Sequence, residues 1–132
     1  MKVNELMIGD WVSLWNKPQR VNYINLDDGE RIGTDKQYLA QIVEAFEPIP
    51  LTAEILEKNE FIRQQFGHFR YENEDNDLVM AFYPKKKSYT EGGYDYIDIY
   101  KGRMTLREMP ISYVHELQHI LKDCRIDKEI VL

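Results

Sequence analysis

Apolar residues recur along this chain at two different periods. Trp11 to Asn16 and Gln19 to Asn25 are short β-rich runs separated by Lys17-Pro18. An Asp28-Gly29 turn follows, then a further run near Arg31 to Thr34. Short strands joined by tight turns predict a small, strongly bent antiparallel barrel over residues 1–50. The run Tyr38 to Phe46 fits either a short helix or a closing strand. Glu47-Pro48-Ile49-Pro50 then forces extended backbone and ends the unit.

Residues 51–132 change character. Thr52 predicts an N-cap for a short helix through about Lys58, with Leu51 and Leu56 placed as a hydrophobic staple and Glu54 favoured in the first turn by the helix dipole. Three strands are expected next, at Phe69 to Asn73, Leu78 to Tyr83 and Tyr94 to Lys101. Leu78 to Tyr83 is apolar throughout, which predicts a central strand covered on both faces and leaves pairing across a homo-oligomer open. The third run alternates, with Ile97 and Ile99 on one face and Tyr96, Asp98 and Tyr100 on the other. Pro110 suits a first helical turn, and Ile111, Val114, Leu117 and Leu121 form one apolar stripe at helical spacing; a last short strand is expected at Ile126 to Leu132. The expected fold is α+β: a bent N-terminal β-barrel, a helix, a three-stranded meander and a C-terminal helix, as two small domains or one compact one.

The C-terminal helix carries the string with the most chemistry in it. His115-Glu116-Leu117-Gln118-His119 reads H-E-x-x-H, in which two imidazoles one turn apart share a zinc ion and the glutamate activates a metal-bound water. Rotation by roughly 100° per residue sets His115, His119 and Lys122 nearly opposite the apolar stripe, so both histidines are expected to face solvent. A catalytic zinc usually takes three protein ligands. No histidine follows His119, and Asp123 lies two turns beyond His115, roughly 12 Å along the axis, too far to share one ion. The remaining histidine, His68, falls in a predicted strand.

Composition narrows the classes. In 132 residues, 43% hydrophobic and 12% aromatic content can fill a core, and no apolar run approaches a membrane span, so a soluble cytoplasmic protein is expected. Cys124, the single cysteine, reads as passive. A net charge of −6 disfavours a broad nucleic-acid surface; Lys85-Lys86-Lys87 with Tyr89, Tyr94 and Tyr96 is the one cluster mixing basic and stacking groups, and Pro84 and Gly92-Gly93 around it suggest a hairpin loop.

Three segments carry a resemblance: Met1 to Val12 (MKVNELMIGDWV), Glu47-Pro48-Ile49-Pro50-Leu51-Thr52 with Ile55 to Phe61, and Tyr113-Val114-His115-Glu116-Leu117-Gln118. In this order they resemble an uncharacterised family encoded by phages and mobile elements of gut Bacteroidetes. The resemblance carries no established activity. That family usually has glutamine where this chain has Glu116 and asparagine where it has His119, which implies a helix whose role is not zinc hydrolysis.

The expected function is therefore a non-enzymatic binding module acting in the host cytoplasm on a host or phage protein or a small ligand, without cofactor. Its candidate contact residues are Trp11, Trp15, Tyr94, Tyr96 and Tyr100. The alternative is a minimal zinc peptidase with His115 and His119 as ligands and Glu116 as general base.

Overall fold

A computed structural model describes residues 1–27, 29–37, 39–86 and 94–132; the side chains of residues 85, 86 and 94 are outside this description. The chain is α+β, with two antiparallel five-stranded sheets and two α-helices, and it divides into two compact units. The first comprises Met1–Pro50 and Tyr113–Ile120, the second Leu51–Ser112 and Leu121–Leu132. Among the described residues, no helix is long and apolar enough to cross a membrane.

In the first unit, alternation along β1 (Trp11–Leu14) turns Val12 and Leu14 fully inward. β1 pairs with β2 (Lys17–Asn25) through the two-residue turn Trp15-Asn16, whose φ angles of 52° and 63° are those of the hairpin turn that matches strand twist. The turn thus lies two residues earlier than the proline suggested, and Lys17-Pro18 opens β2. β3 (Arg31–Thr34), β4 (Gln41–Ile42) and β5 (Phe46–Pro48) complete a sheet ordered β4-β3-β2-β1-β5. The expected barrel is not closed. β4 has two residues and β5 three, and both remain edges, because a single 3-10 turn at Val43–Ala45 takes the ambiguous stretch across to β1. Tyr38 and Asp28 lie outside the described residues. Val3, Leu6, Val12, Leu14, Val21, Ile32, Val43 and Phe46 form the core.

In the second unit, α1 (Ala53–Lys58) starts where the sequence places it. The Thr52 hydroxyl accepts from the Ile55 N–H at 3.3 Å, and Leu51 and Leu56 are both buried. The sheet runs β10-β9-β8-β7-β6, with β6 (Ile62–Arg63), β7 (Phe69–Asn73), β8 (Leu78–Lys86), β9 (Tyr94–Lys101) and β10 (Met104–Pro110). The apolar run Leu78 to Tyr83 therefore occupies the central strand of its own sheet. One face, carrying Phe69, Met80, Phe82, Ile97 and Ile99, is core. The strand expected at Ile126 to Leu132 does not form. That tail buries Ile126 and Ile130, and the backbone of Val131 pairs with the Asn59 side chain instead of with a sheet edge.

α2 (Val114–Asp123) completes the fold, and its predicted stripe is dry: Ile111, Val114, Leu117 and Leu121 are at most 1% exposed.

Candidate functional site

The histidine side of α2 is not the wet surface expected. His115 is 4% exposed and Gln118 9%, because within the first unit this polar side meets the turn Met7–Trp11. That turn is built by its own residues. Gly9 takes φ +95°, a conformation that strains any side chain, and its N–H donates to the Val21 carbonyl at 2.7 Å. Asp10, 1% exposed, folds its carboxylate back to accept the Met7 N–H at 2.8 Å. Two groups on α2 then close on the turn. Gln118 accepts the Trp11 N–H at 2.8 Å through Oε1 and donates to the Gly9 carbonyl at 3.0 Å through Nε2. His119 Nε2 sits 2.7 Å from the Asp10 carboxylate. Meanwhile the Glu116 carboxylate accepts the Tyr113 N–H at 2.9 Å, tying down an orphan donor at the helix start.

Within the first unit, the opening segment, the Glu47–Pro50 stretch and the start of α2 are in contact. Val12 pairs with Pro48, the Val114 N–H donates to the Ile49 carbonyl at 2.9 Å, Pro50 bridges to Tyr113, and Gln118 holds Gly9 and Trp11. Each of these contacts involves backbone.

His115 and His119 lie 5.7 Å apart, ring centre to ring centre and edge to face, beside a cavity of about 460 Å³ that Glu5, Tyr113 and Glu116 also line. Burial pushes the His115 imidazole below its ordinary range; the Asp10, Glu116 and Glu5 carboxylates oppose that fall, and His119 adds to it. Its Nδ1 and the Asp10 Oδ1 are buried with no hydrogen-bond partner. No three His, Cys, Asp or Glu side chains among the described residues are grouped as a ligand set for a metal. Burial also raises the Cys124 thiol, which leaves less thiolate for nucleophilic work.

The aromatic candidates divide between the two units. Trp15 stands on the β1–β2 turn and is 67% exposed, whereas the Trp11 ring lies under the Arg20 guanidinium at 5.3 Å. The Tyr94 side chain is outside the described residues, as are Lys87, Tyr89 and Gly92-Gly93 with the side chains of Lys85 and Lys86. Tyr96 is not presented to solvent as expected. It is 5% exposed, and its hydroxyl donates to Asp98 Oδ1 at 2.8 Å. Tyr100 shares its face and is half-buried.

Tyr96 belongs instead to a cavity that sequence reasoning missed. Register places Tyr83 of β8 directly opposite Tyr96 of β9, and the Phe69–Phe82 pair puts His68 opposite Tyr83. The rings form a ladder from His68, just ahead of β7, across β8 and β9, His68 to Tyr83 at 5.0 Å stacked and Tyr83 to Tyr96 at 5.8 Å tilted. With Phe66, Gly67, Pro84 and Asp98 they line about 410 Å³, within the size of small-ligand sites. Phe66 is 89% exposed at its rim.

Comparison with protein-family models, curated proteins and solved structures returns no match for this chain.

Proposed function

We propose that this chain is a non-enzymatic binding module whose ligand site is the aromatic cavity of the second unit. The observation that carries this reading is the His68–Tyr83–Tyr96 ladder, which places three aromatic side chains and one carboxylate in the wall of a space large enough for a small molecule or a protein side chain. In this reading the H-E-x-x-H helix serves the first unit as a latch. Its Gln118 and His119 are engaged with the Gly9–Trp11 turn, and its Glu116 caps the helix. The family resemblance adds the setting, a phage or mobile element whose product works in the host cytoplasm on a host or phage partner.

The test uses indole as a neutral aromatic probe, titrated into the full chain and followed through the ring resonances of the protein. Saturable shifts are expected at His68, Tyr83 and Tyr96, and Tyr83→Ala should weaken binding about fivefold, the worth of one good ring contact. Indole shifts that spare all three rings would remove the basis of the proposal.

A second reading has one specific observation in its favour. The Asp10 Oδ1 and His115 Nδ1 are buried without partners within the group that also holds His119, and Asp10 supplies the carboxylate from elsewhere in the chain that the sequence did not point to. In this alternative His115 and His119 would hold a zinc ion with Glu116 as general base, and Asp10 would have to leave its bonds to Met7 and His119 to join them, since these side chains are not grouped as a ligand set in the structure.

A further inference from the structure

The rings in the wall of the second unit's cavity already face one another. His68 lies stacked on Tyr83, and Tyr96, tilted against Tyr83, is 5% exposed. They leave little ring surface for an occupant to stack on. Phe66 is the opposite case. It lines the same space and is 89% exposed, the highest value among the described large apolar side chains. A lone apolar side chain in water needs no explanation by itself. Phe66 differs in standing at the rim of a cavity, on backbone that is held in place.

The Gln64 N–H donates to the His68 carbonyl at 2.7 Å and the Gly67 N–H to the Gln64 carbonyl at 3.0 Å, which closes a four-residue turn. Gly67 completes it at φ +88°, with nothing within 4 Å of where a Cβ would stand, so glycine serves the bend there and not the packing. Phe66, Gly67 and His68 all line the cavity, so the turn sets the Phe66 backbone at the His68 end of the ladder. With the backbone fixed, the ring moves by side-chain rotation alone, a motion that exposed residues complete on the picosecond-to-nanosecond scale.

Resting on the reading of this cavity as the ligand site, we infer that Phe66 is its cover: when a small molecule carrying a flat apolar ring enters, the Phe66 side chain turns from solvent onto that ring. Phe66 then trades contact with water for contact with the ligand, and ring-on-ring packing adds to the gain from area alone. Phe66 offers neither charge nor hydrogen bond, so its contact selects for flatness and apolarity. The space of about 410 Å³ is more than one aromatic side chain fills, which favours a free small molecule over the side chain of a partner.

The experiment titrates indole into the full chain and into Phe66→Ala and follows ring resonances. In the wild type the Phe66 ring protons are expected to shift along the same saturation curve as those of His68, Tyr83 and Tyr96, with cross-relaxation to indole protons. Phe66→Ala, on an exposed turn, should melt as the wild type does and bind indole about tenfold more weakly. Phe66→Tyr keeps a flat ring and should keep the wild-type affinity. Phenol should bind about fivefold more tightly than cyclohexanol, a puckered ring of similar size, and this preference should vanish in Phe66→Ala. Indole affinity in Phe66→Ala within about twofold of the wild type, or a phenol preference that survives in that variant, overturns the inference. If either result comes with saturable shifts at His68, Tyr83 and Tyr96, the cover is wrong while the cavity remains the ligand site; if none of the three probes shifts these rings, both fail.

Discussion

Gln118→Ala is expected to destabilise the first unit by about 3 kcal/mol, an effect far larger than a polar helix residue ordinarily carries. The side chain is 9% exposed and bonds two backbone groups of the Met7–Trp11 turn, the Trp11 N–H and the Gly9 carbonyl. Removing it strands a donor and an acceptor away from water, each costing about 1–3 kcal/mol. Gln118→Met separates this cause from packing, because methionine restores volume without either bond and should recover little. Urea unfolding followed by tryptophan fluorescence is the right readout, since both tryptophans, Trp11 and Trp15, lie in the first unit. A loss below about 1 kcal/mol would mean that the turn holds its shape without α2.

Asn59→Ala should cost the second unit a similar amount, about 3 kcal/mol. Asn59 is 2% exposed and follows the last residue of α1, where its amide donates to the carbonyls of Ile55 and Val131, both at 2.7 Å, and its Oδ1 accepts the Val131 N–H at 2.8 Å. One side chain thus anchors the tail that buries Ile126 and Ile130. Hydrogen exchange at the Val131 amide should accelerate by about two orders of magnitude in the variant, as the tail opens without unfolding the sheet. Unchanged protection there would show that the buried isoleucines hold the tail unaided.

The elements that were legible in the sequence are those whose signal is local or purely apolar. Thr52 caps α1 through its own hydroxyl, and the staple of Leu51 and Leu56 needs only the helix period. The run Leu78 to Tyr83 announces a central strand and is one, although only Met80, Ala81 and Phe82 are buried and Leu78, Val79 and Tyr83 are half-buried, so the expected cover on both faces is partial. β10 gave no such signal: all of its residues but Met109 are exposed, and it is held by backbone pairing with β9, including an irregular register between Thr105 and Arg107. The barrel expectation failed on length, since two-residue β4 cannot close a sheet.

The candidate sites show a sharper limit. Hydrophobic periodicity identifies a side of a helix that packs through apolar contact, and it identified that side of α2 correctly. It is blind to a second side that packs through hydrogen bonds, where Gln118 and His119 replace water with Asp10 and the Gly9–Trp11 backbone and His115 is buried beside them. The aromatic cavity was hidden for a different reason. His68, Tyr83 and Tyr96 become neighbours only through strand register, which two turns of unknown geometry leave undetermined in the sequence.

The central claim is that the H-E-x-x-H helix is a latch and that ligand chemistry belongs to the aromatic cavity. Zinc content decides this most directly, measured by elemental analysis on protein expressed with added zinc and purified without chelator. The latch predicts zinc far below one ion per chain and a melting temperature that added zinc leaves unmoved. Stoichiometric zinc that disappears in both His115→Ala and His119→Ala would contradict it and make Asp10, His115 and His119 the ligands of a metal centre.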